Sequence, residues 1–68
     1  MSNATEDKVF TAAEKLKCAE RELKYRYYAY PRRVDAGDMT PKAAKLQIAL
    51  MEEIAADYRA LAEKEQLL

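Results

Sequence analysis

Tyr30-Pro31-Arg32-Arg33-Val34-Asp35-Ala36-Gly37-Asp38-Met39-Thr40-Pro41 is the stretch that decides the fold, because it holds the chain's only glycine and both of its prolines. Pro31 has no amide hydrogen and pushes Tyr30 away from helical dihedrals, so a helix arriving from the N-terminal side ends or kinks there. Arg32 to Ala36 leaves room for a further turn or two, with Pro31 at the first position. Gly37 stands where a left-handed residue would close a helix C-terminus. Thr40-Pro41 pairs a capping side chain with proline at a first helical position, which marks a helix start.

Working outward, Val9, Ala12, Leu16, Ala19, Leu23 and Tyr30 fall at helical spacing and predict a helix over about residues 5–30. Asn3 or Thr5 would cap it, and Glu6 and Asp7 would complement the positive end of its dipole. The small residues Ala12 and Ala19 predict a close approach by a second helix. Beyond the turn, Ala44, Ile48, Met51, Ile54, Ala55, Tyr58, Leu61, Ala62 and Leu68 share one wide face. They predict a helix over 41–66, roughly 39 Å long at 1.5 Å per residue. Period-two alternation, internal repeats and low-complexity tracts are absent. The chain therefore reads as all-α, an antiparallel helical hairpin with residues 1–68 as a single domain. Residues 1–3 are set aside, because Ser2-Asn3-Ala4 matches a tag-cleavage remnant as well as it matches a native start.

A chain of 68 residues hides only about 60% of its unfolded surface on folding, which leaves it short of stabilisation. Cys18 is the only cysteine, so no internal disulfide can help. There is no histidine and the carboxylates are scattered among lysines, so neither a metal nor another cofactor is expected. Self-association remains. Each helix carries a stripe wide enough for two neighbours, yet a hairpin supplies only one. A homodimer forming a two-fold four-helix bundle is expected, with Leu16, Leu23, Tyr30, Ile48, Met51, Ile54, Tyr58 and Leu61 at its interface.

Twelve basic and twelve acidic residues cancel, so no global field draws the chain to nucleic acid or to an anionic membrane. The distribution is uneven. Residues 21–33 carry Arg21, Lys24, Arg26, Arg32 and Arg33 against Glu22 alone, whereas residues 34–68 carry seven acids against four bases. No apolar run approaches membrane-spanning length and no hydrophobic signal region opens the chain, so a cytoplasmic protein is expected. Without histidine the commonest general base is missing, and one glycine cannot build a phosphate loop. Cys18 has no sequence neighbour to orient it and reads as a small buried or half-buried hydrophobe. No enzyme is expected. Met51 reads as core, Glu52-Glu53 as a solvated face, and Met39 as folding back over the end of the hairpin.

Four of the five tyrosines crowd into Lys24-Tyr25-Arg26-Tyr27-Tyr28-Ala29-Tyr30-Pro31-Arg32-Arg33. Tyr27 and Tyr30 share a helix face with Leu23, whereas Tyr25 and Tyr28 point elsewhere. Two readings stand side by side. In one, Tyr27 and Tyr30 plug the end of the bundle and the others cover surface. In the other, Tyr25, Tyr28, Arg32 and Arg33 grip a partner protein, since tyrosine and arginine dominate interface hot spots. Nucleic acid is the less favoured partner, because both helices exceed the length of recognition modules, a third helix is lacking and the second helix is acidic.

The segment Tyr30-Pro31-Arg32-Arg33-Val34, then Ala36-Gly37-Asp38-Met39-Thr40, Ala44, Ile48, Met51-Glu52, Ile54 and Asp57-Tyr58, resembles a family of short phage and prophage proteins. Within that family the whole chain is similar to anti-quorum-sensing proteins of Mu-like Pseudomonas phages. The resemblance implies a small dimeric helical protein made early in infection and acting in the host bacterial cytoplasm. It implies binding and inhibition of host proteins, namely a LuxR-type quorum-sensing transcription regulator and, separately, the ATPase that drives type IV pilus assembly. The alternative is a small structural or nucleic-acid-associated phage dimer.

Overall fold

The computed structural model describes residues 9–67, which form two α-helices and, among the described residues, no strand. Helix α1 runs Ala12–Asp35 and helix α2 runs Pro41–Gln66. As the α1 position rises from Ala12 through Glu20 to Tyr27, its partner on α2 falls from Glu65 through Arg59 to Glu52, so the hairpin is antiparallel as expected.

The start of α1 lies later than the predicted residue 5. Residues 9–11 precede the helix, and Thr11 closes a reciprocal capping box with Glu14. The Thr11 hydroxyl oxygen accepts from the Glu14 amide at 3.1 Å, and the Thr11 amide donates to the Glu14 carboxylate at 2.9 Å. Two orphan donors are thereby satisfied by four consecutive residues. Val9, expected in the apolar stripe, stands outside the helix and is 89% exposed. The proposed caps Asn3 and Thr5, with Glu6 and Asp7, lie outside the described residues, as does Leu68 at the other end.

Pro31 does not end α1, which continues as one helix through Arg32 and Arg33 to Asp35. The end expected near residue 30 is therefore too early, and the further turn expected over Arg32 to Ala36 is the last turn of α1 itself. Proline deprives only the carbonyl four residues back, that of Tyr27, of its donor, and so near the helix end the surrounding contacts outweigh the loss. The Arg32 guanidinium curls back over the same turn and donates to the Tyr28 carbonyl at 2.6 Å.

The connection is as expected. Gly37 adopts φ +84°, the Gly37 amide donates to the Val34 carbonyl at 3.0 Å and the Asp38 amide to the Arg33 carbonyl at 2.9 Å. This pair of bonds is a Schellman closure. Thr40 caps α2 by accepting from the Ala43 amide at 3.1 Å, with Pro41 in the first turn. Met39, between these two devices, is half-buried.

The helices meet along alanines. Ala12 and Ala19 on α1 and Ala44, Ala55 and Ala62 on α2 are the buried hydrophobic residues, and no large side chain is fully buried among the described residues. Small side chains let the backbones approach, as Ala12 and Ala19 predicted. Continuing the seven-residue step past Ala12 and Ala19 brings Arg26, whose side chain is only 16% exposed. Its guanidinium bonds the Gln47 carbonyl at 2.8 Å and the Glu22 carboxylate at 3.2 Å, fastening the helices near the turn.

A Cβ added at Gly37 would meet nothing within 4 Å, so the expense of any side chain there is purely conformational. Gly37→Val should lower stability by about 1–2 kcal/mol, with Gly37→Asn harmed less. Thermal unfolding checks this, and a valine protein melting at the wild-type temperature would refute the cap.

Candidate protein-interaction surface

The four residues expected to grip a partner all sit on the last three turns of α1 and are all exposed, Tyr25 at 56% and Tyr28 at 62%. The fold divides them. Tyr28 and Arg32 stack, with the guanidinium carbon 3.8 Å from the ring centroid, while Arg32 also holds the Tyr28 carbonyl. At about 100° per residue, Tyr25 falls on the same outward stripe as Arg32. Arg33 lies about 100° away, toward α2, 5.9 Å from the Tyr30 ring. Arg26 approaches the same ring at 5.7 Å, so Tyr30 is half-buried between two guanidinium groups.

Tyr27 is not packed into the core, despite sharing a face with Leu23. It is 48% exposed, and its hydroxyl donates to the Glu52 carboxylate across the helix pair. That bond, followed by desolvation and by the charge of Glu52, raises the phenol above its ordinary pKa of 10.0. Glu52 and Glu53 are both exposed, as expected, but Glu52 is engaged. One heptad earlier, Arg59 bonds Glu20 at 3.1 Å on the same flank of the hairpin. On the opposite flank the Lys15 ammonium sits 5.7 Å from the Tyr58 ring.

The eight residues assigned to a dimer interface are all incompletely covered. Leu16, Leu23, Tyr30, Ile48, Met51, Ile54 and Tyr58 are half-buried, and Leu61 is 46% exposed. Ile54, Tyr58 and Leu61 line a shallow groove with Asp57, and the exposed Leu50 lies one turn from Ile54. Cys18 is exposed, which corrects the expectation of a buried or half-buried thiol. Its place on α1 is about 100° from Ala19, off the helix contact.

Sequence reasoning did not single out a second charged feature. Lys17, Arg21 and Lys24 are exposed and lie at i, i+4 and i+7 on α1, and none forms an ion pair with another described residue. Like charges at such spacings weaken a helix by about 0.2–0.5 kcal/mol per pair. With Leu23, Tyr27 and Arg59 they surround an open groove of about 580 Å³. The helical spacing of the three bases was readable from the sequence, whereas the arrival of Arg59 beside them required the hairpin pairing.

Among the described residues no group of three or more His, Cys, Asp or Glu side chains could hold a metal ion. No helix of the described residues is long and apolar enough to cross a membrane. Comparison with protein-family models, with curated proteins and with solved structures finds no match in any of the three.

The Tyr27 phenol should titrate above 10.0, and its protonated form favours folding. Because the folded pKa is the higher one, that contribution is fully present below pH 10.0 and fades as pH rises through the folded value. Subtracting the ultraviolet titration of Tyr27→Phe from that of the wild type isolates this group. Glu52→Ala should return it toward 10.0, and an unchanged curve in Glu52→Ala would remove Glu52 as the cause.

Proposed function

We propose that this chain is a non-catalytic, homodimeric inhibitor protein that binds a host protein through the turn end of its hairpin. The observation that carries the reading is the set of Tyr25, Tyr28 and Arg32 on one outward stripe of α1, exposed and not consumed by the hairpin's own packing. Tyrosine brings rigid contact area at low entropic cost, and arginine pairs bidentately with carboxylates. Stacking on Tyr28 holds the Arg32 fork in place while leaving most of its five donors for a partner. Arg33 extends the patch around the helix.

The resemblance to short phage proteins supplies the target class. It points to a LuxR-type quorum-sensing regulator, and separately to the type IV pilus assembly ATPase, in the cytoplasm of a host bacterium. In this reading two hairpins pair as a four-helix bundle through the half-covered residues Leu16, Leu23, Tyr30, Ile48, Met51, Ile54, Tyr58 and Leu61. A two-fold dimer presents the tyrosine and arginine patch twice, and a dimeric regulator could engage both copies with a gain in avidity.

The test adds the chain to a purified LuxR-type regulator and measures promoter binding by the regulator. Wild type should block it. Charge reversal at Arg32 and Arg33 should abolish the block while sedimentation still shows the dimer, with a lower melting temperature as the Arg32 stack on Tyr28 and the Arg33 contact with Tyr30 are lost. Full inhibition by the reversed protein would place the contact elsewhere. Capture of promoter DNA by the chain itself, fading steeply with salt, would favour the nucleic-acid-associated alternative.

A further inference from the structure

The flank of α1 toward Arg59 carries charge that the hairpin leaves uncompensated. Lys17, Arg21 and Lys24 follow one another along the helix, and Arg59 of α2 completes the rim of a groove floored by Leu23 and Tyr27. Glu20 is the single acid in that lining, and it is already held by Arg59 at 3.1 Å. A run of like charges that weakens its own helix is relieved when another molecule brings the opposite charge. The three bases rise along α1 by about 6 Å and then about 4.5 Å, the spacing of carboxylates at i, i+4 and i+7 on a helix lying alongside. The apolar floor calls for an apolar side chain beside them.

We propose that this groove seats an acidic amphipathic helix of a partner protein, its carboxylates meeting Lys17, Arg21 and Lys24 and one apolar side chain resting on the exposed Tyr27 ring. The proposal rests on the reading of the chain as a protein binder and adds a second contact to the patch near the turn. A nucleic acid is the poorer fit. A polyanion responds to all charge within a Debye length of about 8–10 Å. Glu20 stands in the groove, Glu52 is bonded to its Tyr27 wall, and the chain as a whole is neutral.

The experiment uses the full chain and a synthetic amphipathic helix with glutamates at i, i+4 and i+7 beside a leucine stripe, titrated by calorimetry. The same peptide with lysines replacing the glutamates, and a short DNA duplex, run alongside. Wild type binds the glutamate peptide alone. The variant Arg21→Glu loses that affinity by roughly tenfold or more, and melts higher than wild type because Lys17 and Lys24 then each face an opposite charge at position 21. Equal affinity of the two proteins for the peptide, no binding by wild type, or preference for the duplex each overturns the proposal. A wild-type chain that inhibits its regulator through Arg32 and Arg33 yet ignores the peptide overturns the groove alone. One that binds the peptide yet inhibits no regulator leaves the groove standing and removes that target.

Discussion

The contact between α1 and α2 is built on alanine, and the rest of the molecule follows from that constraint. Five alanines are buried, while every larger apolar side chain among the described residues keeps some exposure. Alanine seams draw helices together, but each buried methyl contributes only about 0.8 kcal/mol, well below a buried leucine or isoleucine. The shortest dimension of the molecule is 14 Å, close to the thickness of one helix layer with its side chains. Domains ordinarily stack two layers around a core. A single layer leaves Ile54, Leu61 and Leu50 on α2, with Leu16 and Leu23 on α1, partly facing out. In the proposed dimer a second copy would supply the missing layer.

Polar cross-links do part of what the thin core does not. Glu65 of α2 accepts from the Ala12 amide at 3.1 Å, bringing a negative group to the positive end of α1. Arg26 ties the helices near the turn through the Gln47 carbonyl, and it is the least exposed charge in the ion pairs among the described residues. Between them, Glu20 with Arg59 and Tyr27 with Glu52 line one flank. The exposed Glu20 pair contributes about 0–1 kcal/mol, whereas the Arg26 contacts act where water is largely excluded. These links set the pairing of the helices more than they deepen its stability.

Much of the fold was legible because local rules governed it. Gly37 and Thr40-Pro41 were readable since a left-handed closure and an N-cap depend on the few residues that make them. The Thr11-to-Glu14 capping box was equally local and equally visible, but the apolar spacing that continued back to Val9 drew the helix start too early. The helix end at Pro31 was drawn too early for a different reason. Proline's local preference is real, yet the helix persists through it, with Arg32 stacked on Tyr28 and Arg33 and Arg26 flanking Tyr30 in the same turns. The exposed thiol of Cys18 shows the limit of composition, since cysteine's usual burial says nothing about which helix side a given one occupies. At the candidate surface, Tyr25, Tyr28, Arg32 and Arg33 were found by crowding alone, whereas the Tyr27 bond to Glu52 and the place of Arg59 depend on residues far apart in the chain.

In the proposed dimer, so thin a hairpin is stable only when a second copy covers its apolar flank. Sedimentation equilibrium with parallel circular dichroism across a dilution series tests it most directly. With folding and association as one transition, a species with the mass of two chains forms at micromolar concentration and its helicity falls together with its mass on dilution. A species with the mass of one chain that keeps full helicity and a sharp thermal transition at every concentration would contradict it.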